Sequence, residues 1–192
     1  SEKPPPGPGP GTGLTGGAQV GAGGGQGCGR RNDGPVQCGG DNENGEVGGG
    51  STSRRFVPYP IGGLTGVAEI ATGGLHTCAR MTDGTVKCWG WNDAGQLGLG
   101  DRVQRGDLPG QRVVDFPAVQ LGTGRTAVSL VAGAYHTCAI LDDHSLKCWG
   151  SNTDGECGLG KPTDYGDEPG EMGDALPGVD LGSARQVRQL AA

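Results

Sequence analysis

Seven cysteines are the residues of this sequence best suited to covalent or metal chemistry. Six of them form three pairs whose members are ten residues apart, and Cys157 has no partner at that spacing. Each pair could close a disulfide, which would indicate an oxidising compartment, or remain as two buried thiols. The pairs are Cys28 with Cys38, Cys78 with Cys88, and Cys138 with Cys148.

Zinc binding is the alternative chemistry for these cysteines, because His76 precedes Cys78 and His136 precedes Cys138. One His and two Cys would supply three ligands of a zinc site. The first pair has no neighbouring His, and the sequence contains no CxxC motif. Disulfides are therefore the favoured prediction, Cys157 is expected to be a small buried hydrophobic residue, and no metal site is predicted.

A tight turn between the cysteines of a pair would bring them together. Residues 75–81 and 85–89 have the pattern of strands, and Thr82, Asp83 and Gly84 lie between them as a three-residue hairpin loop. This register places Cys78 directly opposite Cys88, with α-carbons about 4.5 Å apart, a distance that a disulfide can bridge. In the third pair His144 replaces the turn glycine, which the left-handed conformation tolerates better for His than for most residues.

Catalytic chemistry is not indicated by the remaining candidates. His76 and His136 recur, but no Ser or carboxylate recurs at a spacing that would complete a nucleophilic set. The histidines are therefore predicted to be structural, and Trp89 and Trp149 are predicted to pack between structural units. No catalytic residue is predicted.

Two further segments could attract ligands. The segment GECGLGK at 155–161 resembles a phosphate-binding loop, but Pro162 replaces the hydroxyl residue that magnesium would need. No cofactor-binding site is predicted. An acidic run near the end is expected to be solvated, with weak calcium binding as the alternative; it comprises Asp164, Asp167, Glu168, Glu171 and Asp174.

The cysteines, histidines and tryptophans described above lie in an internal sequence repeat. The segment that begins at Gly73 aligns without gaps with the segment that begins at Gly133, at an offset of 60 residues. A degenerate third copy lies upstream at an offset of 50, where Gln26 replaces the His and Gly39 replaces the Trp. We therefore divide the chain into a Pro/Gly-rich flexible tail or linker at 1–17, a degenerate first repeat at 18–72, a second repeat at 73–132 and a third at 133–192.

The composition is unusual for a folded domain, since 43 of 192 residues are Gly and 13 are Pro. The net charge of −6 is modest, however, and apolar residues recur beside the cysteines. Short strands between glycine turns reconcile these facts and exclude a large helical domain. The acidic balance argues against nucleic acid as a partner, and no stretch approaches the roughly 18 apolar residues of a membrane span.

The pattern GxxHTCAxxxDGxVKCWGxNxxGQLGLGD resembles the repeats of the regulator of chromosome condensation (RCC1) family, especially its bacterial, cysteine-containing members. The resemblance implies an all-β fold, a seven-bladed β-propeller in that family, of which this chain would form about three blades. It rests on Gly73, His76, Thr77, Asp83, Gly84, Trp89, Gly90, Asn92, Gly95, Gln96, Leu97, Gly98 and Gly100, and on their counterparts after Gly133.

The function predicted from these observations is a non-enzymatic, secreted or cell-envelope scaffold that binds a protein or a surface glycan. The resemblance implies two alternatives, nucleotide exchange on a small GTPase and inhibition of a secreted enzyme such as a β-lactamase. A cytoplasmic location is the alternative to export. Open blade edges would also permit self-association. The candidate binding residues lie where the repeats differ most, at Asp101, Arg102, Gln104, Lys161, Asp164 and Glu171.

Overall fold

A computed structural model describes residues 19–30, 35–182 and 185–191. The predicted tail at 1–17 lies outside the described residues. These residues form ten strands in three antiparallel sheets, and their helical segments are two single 3-10 turns, Val113–Asp115 and Gly173–Ala175. No helical segment in these ranges has the length and apolar character needed to cross a bilayer. The all-β prediction is confirmed.

Each sheet is one blade, and its strands follow one another in chain order. Blade 1 consists of β1 (Gln19–Ala22), β2 (Gln26–Arg30), β3 (Gln37–Gly40) and β4 (Arg55–Pro60). Blade 2 consists of β5 (Val67–Thr72), β6 (His76–Met81) and β7 (Val86–Gly90), and blade 3 of β8 (Ala127–Ala132), β9 (His136–Leu141) and β10 (Leu146–Gly150). The sequence boundaries at residues 73 and 133 therefore fall between the first and second strands of a blade.

The fourth strand is where the blades differ. In blade 1 the chain returns along β3 and pairs Cys38 with Tyr59. In blades 2 and 3 the equivalent pairing shrinks to isolated bridges, Gly90 with Arg105 and Gly150 with Tyr165. The repeats at offset 60 carry ten more residues after the hairpin than the first repeat does, and their chain enters a 3-10 turn instead of following the sheet edge.

The hairpin register follows from the turn. Cys78 pairs with Cys88, Ala79 with Lys87, and Arg80 with Val86, as predicted from the three-residue loop. Gly84 and His144 both have positive φ, at 80° and 65°, so the substituted turn keeps its left-handed conformation. The three cysteine pairs lie at disulfide distance, each with α-carbons 4.1 Å apart.

The two larger hydrophobic clusters lie between blades, and a smaller one surrounds Cys138, Cys148 and Cys157 in blade 3. Trp89, Val47 and Ile61 belong to the cluster between blades 1 and 2, and Trp149 and Leu97 belong to the cluster between blades 2 and 3. A thin layer between two neighbouring sheets needs few apolar residues per blade. This arrangement explains how a chain with 33% hydrophobic residues supports a folded structure.

Candidate functional site

The blades are joined by a repeated hydrogen-bonding arrangement. The carbonyl oxygen of Glu46 in blade 1 accepts hydrogen bonds from Trp89 Nε1 at 2.8 Å and Thr77 Oγ1 at 3.0 Å in blade 2. The carbonyl oxygen of Gln96 accepts from Trp149 Nε1 at 3.1 Å and Thr137 Oγ1 at 3.0 Å in blade 3. Both Trp side chains are fully buried. The predicted packing role of the tryptophans is confirmed.

One of the two histidines also joins neighbouring blades. His76 is fully buried, and its Nε2 lies 2.9 Å from Thr137 Oγ1 of the next blade. Burial, together with the nearby His136, lowers the pKa of His76 to about 3, so the ring is neutral at ordinary pH. His136 occupies the same position in blade 3 and is half-buried.

The zinc and calcium alternatives find no support in the geometry. Within residues 19–30, 35–182 and 185–191, no group of three or more His, Cys, Asp or Glu side chains is placed to hold a metal ion. The acidic residues have other partners: Asp167 pairs with Arg102 and lies beside Glu171, which accepts hydrogen bonds within its own loop, and Asp174 accepts from the Thr123 amide at 2.8 Å. Cys157 is buried and unpaired, and its amide donates to Asn152 Oδ1.

An Asn in each repeat anchors the loop that carries the predicted binding residues. Asn92 Nδ2 donates to the carbonyl oxygens of Asp101 at 2.7 Å and Val103 at 3.2 Å. Asn152 holds Lys161 and Thr163 in the same way. The turn pattern of the repeat contains these Asn residues, but their partners lie nine and eleven positions away, so the sequence did not indicate this role.

The loop of blade 2 contains the first three predicted binding residues. The Asp101 carboxylate accepts hydrogen bonds from Arg105 and from the Val103 amide. Burial raises the pKa of Asp101, but these hydrogen bonds and the charge of Arg105 together lower it by more. The pKa of Asp101 therefore lies below its ordinary value. Arg102 reaches across to Asp167 in the loop of blade 3, and Gln104 Oε1 is buried without a partner among the described residues.

The loop of blade 3 contains the other three predicted binding residues. Asp164 accepts a hydrogen bond from the Asn152 amide at 2.8 Å. Glu171 Oε2 accepts from the Gly166 and Glu168 amides, as Gln111 does in blade 2. Burial raises the pKa of Glu171, and the neighbouring Asp167 adds to the increase. The Lys161 side chain is exposed.

The two loops interlock into one continuous surface, which we call the loop rim and define as residues 101–111 and 161–171. The Gly100 amide donates to the Gly166 carbonyl at 2.9 Å, directly beside the Arg102 to Asp167 ion pair. The carboxylates of Asp101, Asp164 and Glu171 accept hydrogen bonds from backbone amides of the folded loops. Arg102 is ion-paired with Asp167, although its side chain is 58% exposed. Lys161 lies at the surface with two apolar side chains, Val103 and Leu108, which are 59% and 56% exposed.

A second surface was missed by the sequence analysis. The outer face of blade 1 has glycines at three positions where blades 2 and 3 have Thr, Ala and Trp. The alignment shows these substitutions, but only the strand alternation places all three on one face. The glycines are Gly27, Gly29 and Gly39.

Antiparallel blades joined by the same hydrogen bonds define a partial β-propeller built of repeats. Models of the regulator of chromosome condensation (RCC1) repeat match residues 67–96 and 127–156, and a second model of the same repeat matches residues 83–140. Residues 67–156 therefore contain RCC1-type repeats.

Solved structures share the fold. Yeast RCC1 (Prp20) bound to Kap60 superposes with a TM-score of 0.60 at 19% identity over 78% of this chain and 35% of that chain. Prp20p from Saccharomyces cerevisiae gives 0.61 at 21% identity over 78% and 36%, and human WBSCR16 gives 0.61 at 21% identity over 85% and 37%. The chain thus spans little more than a third of these proteins. No curated protein sequence matches the chain at a significant level.

Proposed function

We propose that this chain is a non-enzymatic scaffold that binds another protein through the loop rim. The observation that carries the proposal is the division of labour within each repeat. His, Thr, Trp and Asn side chains hold blades and loops in place, and Arg102 joins the two loops, while Val103, Leu108 and Lys161 are left at the surface. A mixture of exposed cationic and apolar side chains on a rigid support favours contact with a protein.

A protein partner is favoured over a surface glycan. Sugar rings are held on exposed aromatic faces, but the one aromatic side chain of the loop rim, Tyr165, is partly buried against the core. The similar yeast protein Prp20 is described bound to Kap60 and with binding properties to Gsp1p and histones, so an RCC1 propeller can bind proteins. Nucleotide exchange on a small GTPase and inhibition of a secreted enzyme would be particular forms of such binding.

We place this function outside the cell or in the cell envelope. The three cysteine pairs at disulfide distance support this location, because disulfides persist in oxidising compartments. Self-association through open blade edges is the less favoured mode. Blade 1 lacks the Thr and Trp donors that dock blades 2 and 3, so a second copy could not reproduce those contacts.

The experiment is capture from the extracellular fraction of the source organism on immobilised protein. The variant carries Val103→Ser and Lys161→Gln, which leave the Arg102 to Asp167 ion pair intact. The matched control carries Val128→Ser and Arg188→Gln, which make the same changes at other exposed positions. We expect the first variant to lose the captured protein and the control to keep it. Retention by both would overturn the loop rim as the contact surface, and accelerated guanine nucleotide release from a small GTPase would replace passive binding with exchange.

A further inference from the structure

Asp107 and Asp167 occupy equivalent positions in the loops of blades 2 and 3, at an offset of 60 residues. Each lies where its loop crosses a turn of the preceding blade. A Cβ atom added to Gly45 would lie 2.5 Å from the Asp107 amide nitrogen, and one added to Gly95 would lie 2.3 Å from that of Asp167. The same close backbone contact therefore holds both aspartates against the preceding blade.

The segment of the preceding blade that runs beside each aspartate is also equivalent. In blade 1, Asn42 Nδ2 donates to the carbonyl oxygens of Ser51 at 2.6 Å and Ser53 at 3.1 Å. The same arrangement holds the corresponding segment of blade 2. Thr52 therefore occupies in blade 1 the position that Arg102 occupies in blade 2.

The two aspartates differ in their partners. Asp167 is 7% exposed, and its carboxylate is paired with the Arg102 guanidinium of the preceding blade. Asp107 has no such arginine, because Thr52 replaces it. The Asp107 Oδ1 atom is buried and accepts no hydrogen bond from the described residues. Since a buried carboxylate oxygen without a donor is unfavourable, this position lacks the cationic partner that its counterpart has.

The two arginines of the adjoining blade 1 segment form other contacts. Arg54 pairs with Asp41. Arg55 donates to Ser51 Oγ at 3.4 Å, and its guanidinium stacks 4.5 Å from the Tyr59 ring centre. The arginines of this segment therefore do not replace the missing cation.

We propose that a partner protein inserts an arginine side chain beside Thr52 and pairs it with Asp107, as Arg102 pairs with Asp167 within the chain. Thr52 is exposed and Asp107 is partly exposed, so this position can be approached from solvent. Arginine is the favoured cation because its guanidinium can donate to both oxygens of a carboxylate. The proposal rests on the function proposed for the loop rim, to which Asp107 belongs, and adds the chemistry of the partner.

The test selects peptides from a phage-displayed library of random dodecapeptides on the immobilised 192-residue chain, after removal of peptides that bind the Asp107→Asn variant. We expect the selected peptides to share an arginine. In a synthesised peptide, replacing that arginine by citrulline keeps the shape but removes the charge, and should weaken binding at least about tenfold in calorimetry. Asp107→Asn should weaken binding of the original peptide to the same extent.

Thr52→Arg and Thr52→Gln are a matched pair of variants at an exposed position. Thr52→Arg supplies the missing guanidinium from within the chain, so the peptide should bind at least about tenfold more weakly. Thr52→Gln adds a longer side chain without a charge and should bind the peptide as the wild type does. Asp93→Asn removes another exposed carboxylate and should also leave binding unchanged.

Three outcomes would overturn the proposal. They are a selection that yields no peptide dependent on Asp107, selected peptides that share no arginine, and peptide binding that persists in Thr52→Arg. The selection needs no natural partner, so a failed capture from the extracellular fraction, with arginine peptides still selected, would count against the proposed function alone. Capture of a protein that Asp107→Asn does not weaken would overturn this inference and leave the loop rim as the contact surface.

Discussion

Trp149 illustrates how single residues join the blades. Its indole Nε1 donates to the Gln96 carbonyl at 3.1 Å, and that oxygen also accepts from Thr137. Trp149→Phe keeps most of the buried ring but removes one hydrogen bond, so we expect a loss of about 1 kcal/mol in the free energy of unfolding. Trp149→Ala should cost about 3–5 kcal/mol. Urea denaturation measures both.

The control for this prediction is Trp91→Phe. Trp91 is half-buried and packs edge-on against Tyr135, with ring centres 5.3 Å apart. The smaller ring can retain this contact, so stability should change by less than about 0.5 kcal/mol. Equal losses for Trp91→Phe and Trp149→Phe would contradict the role assigned to the indole hydrogen bond.

His76 predicts a pH dependence of stability. The ordinary pKa is 6.5, and burial between blades lowers it to about 3 in the folded protein. Between these values the unfolded chain binds a proton that the folded chain does not, so the free energy of unfolding falls as the pH falls. His76 should contribute a loss of about 2 kcal/mol between pH 6.5 and 5.

His76→Gln isolates this contribution, since blade 1 has Gln26 at the equivalent position. The variant should show a flatter stability profile between pH 6.5 and 5 in urea denaturation at each pH. His136→Gln should flatten it less, because burial lowers the pKa of His136 but the charge of Glu156 opposes this. An unchanged slope in His76→Gln would show that His76 is protonated in the folded state.

Residue types in the repeat allowed some of these contacts to be predicted but not others. Buried Trp and His recur at fixed positions, so their structural role could be inferred from the sequence. Their hydrogen-bond acceptor could not, because it is the backbone carbonyl of Glu46 in one interface and of Gln96 in the next. Any residue type supplies that oxygen, and the pattern therefore carries no sign of it.

Each of the three hairpins is expected to be closed by a disulfide. We expect non-reducing peptide mapping to find Cys28 linked to Cys38, Cys78 to Cys88, and Cys138 to Cys148. Each loop is short, so removing one bridge by Cys78→Ala with Cys88→Ala should cost about 2–3 kcal/mol on the chain-entropy account. Burial raises the pKa of the Cys157 thiol to about 12, so iodoacetamide at pH 8 should label it only after unfolding.

Two results would contradict this assignment. One is a peptide in which Cys157 is bridged, and the other is stoichiometric zinc released from protein that has not been treated with metal. The Cys157→Ala variant is a control for the labelling, since it should lose the label and keep all three bridges.

Among the strands of a blade, the hairpin of the second and third could be predicted from the sequence, but the fourth strand could not. The turn residues Asp83 and Gly84 determine the register of β6 and β7 locally, so the opposition of Cys78 and Cys88 followed from a count. The fourth strand depends on where a long loop returns in space. Only blade 1 has it among the described residues, and the pairing of β4 with β3 was therefore not predicted.

The whole molecule is a row of blades whose contacts run between neighbours. In this arrangement the residues shared by all repeats stabilise the fold, and the residues that differ are free to determine what binds. The sequence predicted this general division. It did not show that Asp101, Asp164 and Glu171 are used within their loops, because their partners are amides placed by the folded turns.

The central claim is that the loop rim is the surface that contacts a partner protein. Hydrogen–deuterium exchange of the chain, measured with and without the protein captured from the extracellular fraction, tests this claim most directly. The account predicts that complex formation slows exchange at residues 101–111 and 161–171 and leaves the strands of blades 2 and 3 unchanged. Slower exchange confined to other segments, with no change in those two loops, would contradict it.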